Sequence, residues 1–179
     1  MEQSTVRDKI LGYDFFRRDV LIVAPDLLGK YLVRSDGSNI QRCKIVDTEA
    51  YRGAEDKACH ARVGRTTRTE AMFLPGGVSY IYFIYGTHYM FNVVTGQEDE
   101  PQAVLIRGLD VVSGPGRITR LLNIDNSFYG EDLTLSNRLW IEDGAAPAPE
   151  KVIRTHRVGI NYAGEWKNKP WRFMIKPTF

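Results

Sequence analysis

Twenty-seven consecutive residues, 71–97, contain no Asp, Glu, Lys or Arg. A stretch this long raises the question of a membrane span, and its composition answers it. Pro75, Gly76, Gly77, Gly86, His88 and Asn92 interrupt the run, whereas a helix in lipid needs about 20 predominantly apolar residues in a row. The run reads instead as strands. Residues 79–85 (SYIYFIY) and 88–94 (HYMFNVV) are β-branched and aromatic, and Gly86-Thr87 separates them at hairpin spacing.

The same patterning predicts a second hairpin. Residues 30–35 and 40–48 flank Asp36-Gly37-Ser38-Asn39, and Asp-Gly tolerates the positive φ of a tight turn. Further strands are expected over 103–107 and 171–176. Helical signals are fewer: a short helix over 25–28 stopped by Gly29, an amphipathic segment opened by Pro115 with Ile118, Leu121 and Leu122, and a capping box from Thr67 to Glu70 ahead of Met72 and Phe73. Residues 144–149, rich in Ala and Pro, read as a surface loop, and there is no internal repeat. The expected class is α+β, a single domain over 1–179 with a mainly antiparallel sheet, short helices and long loops. At 179 residues with 43% hydrophobic content, the chain should bury roughly 70% of its unfolded surface, which requires neither disulfides nor a structural metal. Cys43 and Cys59 are expected as reduced thiols, because there is no cysteine framework and no leader peptide pattern.

Charge is nearly balanced, 24 basic against 22 acidic residues. That excludes a histone-like or tail-driven nucleic-acid binder but leaves room for one basic face, since a polyanion responds to where charges lie. Between Arg62 and Arg68, three arginines (Arg62, Arg65, Arg68) occur with no acid among them; such a run is either a solvated face or a set of phosphate anchors. Just upstream, Asp47 and Glu49 are spaced i, i+2 and so share a strand face. They mark either a strand end reaching solvent or a carboxylate at a pocket rim able to act as general base. As a pair they would also suit a carbohydrate hydrolase. His60 follows beside Cys59, a spacing that cannot serve one zinc ion, and the motif of zinc-dependent base deaminases is absent; no metal site or cofactor is legible. Four tyrosines, Tyr80, Tyr82, Tyr85 and Tyr89, fall within ten positions. Tyr80 and Tyr82 share one strand face, and Tyr85 at the turn is placed to protrude, where an aromatic can stack on a base or wedge into a duplex.

Taken together, these residues resemble the alkyladenine (3-methyladenine) DNA glycosylase family, also called methylpurine DNA glycosylases. The resemblance covers about 15–175. It rests on Asp47-Thr48-Glu49-Ala50-Tyr51 with Glu55-Asp56 and His60; Met72-Phe73 leading into 80–86; Asn92; Val104-Leu105-Ile106-Arg107; Gly114-Pro115-Gly116; and Arg157-Val158-Gly159 with Ala163-Gly164-Glu165-Trp166. It implies a monofunctional enzyme that flips an alkylated or deaminated purine (3-methyladenine, 7-methylguanine, hypoxanthine) out of double-stranded DNA and hydrolyses its N-glycosidic bond, leaving an abasic site. By the resemblance, Glu49 is the general base for the attacking water, with Arg107 and the backbone of Val158 beside it. Tyr51 would stack on one face of the base and His60 and Tyr82 on the other, Asn92 would crowd the 2-amino group of guanine, and Tyr85 would fill the gap in the duplex. No lysine lies at the matched pocket positions, so lyase activity is not expected. Asp47 stands where the family often has Glu. The chain begins close to the first matched block, which suits a compact bacterial-type monomer, cytoplasmic and nucleoid-associated on DNA, or a nuclear one if the source is eukaryotic; no membrane partner is implied.

Overall fold

The computed structural model describes residues 9–177. Its organising element is β2 (Ile40–Arg52), a strand of 13 residues. The first residues of β2 are exposed, but from Thr48 to Ala50 successive side chains are all buried, so the strand is covered on both faces. Residues 40–44 pair antiparallel with β1 (Tyr31–Ser35), 45–52 with β5 (Gln102–Leu109), and 47–49 also with β9 (Arg172–Ile175). The register to β5 shifts on either side of Asp47. A bulge of this kind bends a strand and re-aims its side chains, and here it lies immediately before Glu49.

The remaining strands extend this centre. The path through the nine-stranded sheet runs β3 (Ser79–Ile84), β4 (His88–Thr95), β5, β2, β1, β7 (Leu139–Glu142), with β6 (Val112–Ser113) on β5 and β8 (Val152–Thr155) on β9. Helices α1 (Tyr13–Phe16), α2 (Val20–Asp26) and α3 (Pro115–Leu121) are short. The Asp19 carboxylate caps α2 by accepting from the Leu21 N–H at 2.8 Å. Val20, Val23, Leu27 and Leu28 then lose all exposure to solvent, a burial worth roughly 1.5–3 kcal/mol for each such side chain. The Thr48 hydroxyl donates to the Ala24 carbonyl at 2.8 Å, which ties the last turn of α2 to the strand one residue before Glu49.

The mainly antiparallel α+β architecture matches the expectation, with informative differences. Helix α2 starts five residues before the expected 25–28 and carries Pro25 inside it; the Asp19 cap and the apolar spacing of 20, 23 and 24 outweigh the proline as a start signal. Gly29 does stop it, at φ +86°, and a side chain there would strike the Ala145 carbonyl. The Thr67–Glu70 capping box does not form. Residues Glu70–Phe73 make one 3₁₀ turn without a side-chain cap, and the Thr69 hydroxyl instead donates to the Gly64 carbonyl at 2.8 Å while accepting from the Thr66 N–H at 2.9 Å. In α3, Ile118 and Leu122 are buried but Leu121 is exposed. Strands β7 and β8 carry no clear sequence signal, being four residues each, and β2 runs on to Arg52 rather than ending at 48.

Candidate active site

Glu49 is fully buried, so neither it nor Asp47 is the solvent-facing strand end that spacing alone allowed. Two donors and one cation surround its carboxylate. The Val158 N–H donates to Oε1 at 2.8 Å, the Tyr51 hydroxyl donates to Oε2 at 2.8 Å, and Arg107 Nε lies 3.5 Å from Oε1. Burial raises the Glu49 pKa above the ordinary carboxylate range; Arg107, the Val158 N–H and the Tyr51 hydroxyl pull it back down, and Asp47 pushes it up. The arrangement holds a carboxylate of raised basicity in one orientation, which is what a general base requires.

Asp47 is differently employed. Arg172 of β9 donates to its two oxygens at 3.0 and 2.8 Å, and the residue is almost wholly buried. This bidentate pairing leaves no second carboxylate free to act as an acid, which removes the carbohydrate-hydrolase reading of the Asp47–Glu49 pair.

Tyr51, whose hydroxyl donates to Glu49, also lines a cavity of about 20 Å³ together with Ala58, His60, Met72, Tyr80, Tyr82, Asn92 and Ala103. A space this size holds about one water. Thus Tyr51, His60, Tyr82 and Asn92 converge on one pocket, and a purine enters only if these side chains part. His60 and Tyr82 meet edge to face with centroids 4.5 Å apart. His60 Nδ1 is 2.9 Å from the Tyr80 hydroxyl; when that hydroxyl donates, the ring proton of His60 sits on Nε2. Burial, with the nearby charges of Arg68 and Arg62, brings the His60 pKa down to about 4, so the imidazole is neutral at physiological pH. Burial likewise raises the phenols of Tyr51, Tyr80 and Tyr82, which stay protonated. The Asn92 amide is buried and donates to the Tyr80 carbonyl at 3.1 Å.

Tyr85 occupies the tip of the β3–β4 hairpin. It is 84% exposed and holds φ +54°, followed by Gly86 at φ +66°; two successive positive φ values belong to the tight turns that suit the twist of a hairpin. A tyrosine there accepts backbone strain while burying almost nothing. The three arginines do not form a uniform strip. Arg65 pairs with Glu70, at 2.8 Å, and with Asp99, acids that lie outside the acid-free run 62–68. Arg62 and Arg68 are exposed, and the Arg68 guanidinium lies 5.6 Å from the centroid of the Tyr82 ring, at the pocket.

Two residues at the back of the site escaped the residue-by-residue reading. Asp56 and Arg157 form an ion pair of 2.6 Å with neither side chain exposed. Both lie within the blocks quoted for the resemblance, but nothing in their spacing, 101 residues apart, links them.

The family model described as Methylpurine-DNA glycosylase (MPG) matches residues 14–114 and 109–178. Relatives provisionally named 3-methyladenine DNA glycosylase include proteins of Natranaerobius thermophilus, 42% identical over 93% of this chain and 95% of the relative, and of Anaeromyxobacter sp., 45% identical over 93% and 89%. A Carboxydothermus hydrogenoformans protein of the same name is 45% identical over 93% of this chain and 95% of its own length.

Proposed function

From the premise that the chain belongs to the methylpurine-DNA glycosylase family, we propose that it removes 3-methyladenine, 7-methylguanine and hypoxanthine from double-stranded DNA by hydrolysing the N-glycosidic bond. It is a DNA repair enzyme of the 3-methyladenine glycosylase type. The observation that carries the mechanism is the buried Glu49 carboxylate, held by two donors and the Arg107 cation, one of the donors being Tyr51, which lines a cavity walled by tyrosines, histidine and asparagine.

Glu49 takes a proton from a water whose oxygen bonds to C1′ of the flipped nucleotide, the C1′–N bond breaks with its electron pair leaving on the base, and an abasic site with a C1′ hydroxyl remains, while Arg107 and the Val158 N–H keep the carboxylate aligned. The base is gripped between Tyr51 and the His60–Tyr82 pair, which must separate to admit it. Asn92 crowds the 2-amino group of guanine, which disfavours the unmodified base, whereas 7-methylguanine offsets that cost through its positive charge against the aromatic walls. A neutral His60 suits this pocket, since a fixed positive charge would repel an alkylated, cationic purine. Tyr85 fills the gap left in the duplex, offsetting part of the few kcal/mol that extrusion costs. Arg62 and Arg68 supply phosphate contacts; Arg65, already paired twice, does not.

Incubation with duplexes containing each lesion, followed by alkali to cleave abasic sites, tests the assignment. Strand breaks at the lesion are expected. Retained binding without breaks would leave a damage-recognising module instead of an enzyme.

A further inference from the structure

The Asp56–Arg157 pair touches no reacting atom in the proposed mechanism, yet it is the most deeply buried ion pair near the site. Burying two charges is costly, and a pair of this kind is commonly replaceable by apolar side chains without loss of stability. Its contacts point to geometry as its purpose. Arg157 Nη1 donates to the Ala50 carbonyl at 2.9 Å and to Asp56 Oδ2 at 2.6 Å, and Nη2 donates to Asp56 Oδ1 at 3.0 Å and to the Trp166 carbonyl at 3.2 Å. The guanidinium lies 4.8 Å from the centroid of Tyr51 and 5.1 Å from that of Trp171. Asp56 accepts in turn from the N–H groups of Arg52 and Ala58, at 3.1 and 3.0 Å.

One ion pair therefore joins the end of β2, the turn at 56–58 and the segment from 157 to 166. The residue after Arg157 is Val158, whose N–H holds Glu49. Resting on the functional reading above, we propose that Asp56 and Arg157 are positioning residues: the guanidinium backs the Tyr51 ring and fixes the Val158 amide, so that one group sets both the pocket wall and the orientation of Glu49. Only a planar, multiply donating cation does both. Lysine can neutralise Asp56 but offers no flat face to Tyr51 and cannot reach Ala50, Asp56 and Trp166 together.

The test compares wild type with Arg157→Lys and Trp171→Leu, the latter removing the aromatic from beside the guanidinium while leaving the ion pair and the reacting groups intact. Two readouts are taken on folded protein: the protonation midpoint of Glu49, from carboxyl carbon NMR of the free protein, and single-turnover excision from hypoxanthine duplex across pH. In Arg157→Lys the Glu49 midpoint moves to higher pH, because a donor to the ionised form has loosened, and excision near neutral pH falls about 10- to 100-fold, as expected of a displaced reacting group. Trp171→Leu shows the same changes to a smaller degree, and it decides the matter alone if Arg157→Lys does not fold. A lowered melting temperature with an unmoved Glu49 midpoint and an unchanged rate per folded molecule overturns the inference. Failure of the wild type to excise any lesion would instead sink the proposed function, leaving the NMR midpoint as the reading of the positioning role.

Discussion

Removing one oxygen atom, by Tyr51→Phe, separates two jobs that the structure gives to one side chain. The ring faces the pocket and the hydroxyl donates to Glu49 Oε2 at 2.8 Å. A hydrogen bond to a charged group contributes about 1.5–3 kcal/mol net, and one pKa unit corresponds to 1.36 kcal/mol. Glu49 is fully buried, so little bulk water can replace the lost donor, and the midpoint of Glu49 should rise by about one unit or more. A protonated Glu49 cannot accept a proton from water, so activity climbs with pH through the Glu49 pKa, and raising that pKa displaces the acid limb to higher pH. Above the limb the rate should return to within about threefold of wild type, since Arg107 and Val158 still hold the carboxylate and the ring still stacks. Single-turnover excision from a hypoxanthine duplex, measured over the pH range in which fold and duplex persist, reads the limb. Coincident acid limbs for the two proteins would refute a role of the hydroxyl in tuning the base and leave Tyr51 only the part its ring plays.

Glu49→Gln should lower excision by at least about 10²- to 10⁴-fold while lesion binding persists, and it should also stabilise the fold at neutral pH. Because the folded pKa of Glu49 is raised, the folded state holds its proton longer, so stability falls as pH rises from the unfolded to the folded pKa and stays lower above it. Gln abolishes that loss, and each kcal/mol relieved should lift Tm by roughly 2–4 °C; a lower Tm would count against it. For His60 the window is acidic: its pKa falls from 6.5 to about 4, the unfolded chain binds the proton first, and stability is lost as pH drops through that interval. The difference, 6.5 minus 4, corresponds to about 3 kcal/mol, or about 2 after allowing for partial exposure. Urea unfolding of His60→Gln at the two ends of the window should show that loss missing, and an equal loss in both proteins would refute it. Tyr85→Gly should leave stability unchanged or slightly raised, since it relieves a positive φ and removes an exposed side chain, yet slow excision from duplex DNA; an unaffected rate would exclude the wedge. Replacing Arg62 or Arg68 by Gln should reduce the salt dependence of DNA binding by about one unit of slope each, whereas Arg65→Gln should not; equal effects at all three positions would show that the Glu70 and Asp99 pairing opens on DNA.

Much of the framework is written locally in the chain. The hairpin at 79–95, the Asp-Gly turn at 36–37 and the protruding Tyr85 follow from patterns within a few residues, and the blocks around Glu49, Asn92, Arg107 and Val158 suffice to indicate the family. Local patterns left open what distant segments decided. Arg65 lies in an acid-free run but meets Asp99, 34 positions away, and the two carboxylates of β2, which spacing allowed either at a solvent-facing strand end or at a pocket rim, are both buried.

What tertiary structure alone decided is the chemistry of the carboxylates. Glu49 and the Val158 amide are 109 positions apart, Asp47 and Arg172 are 125 apart, and Asp56 and Arg157 are 101 apart. In sequence the three acids differ little. In the fold, desolvation gives Glu49 a raised pKa that its donors only partly offset, while arginines of the C-terminal segment lock Asp47 in a bidentate pair and make Asp56 a buried brace. Residue type and short-range spacing specify which groups are present; only burial and long-range partners, acting through the local dielectric and the hydrogen bonds each oxygen accepts, specify which of them is left free to take a proton.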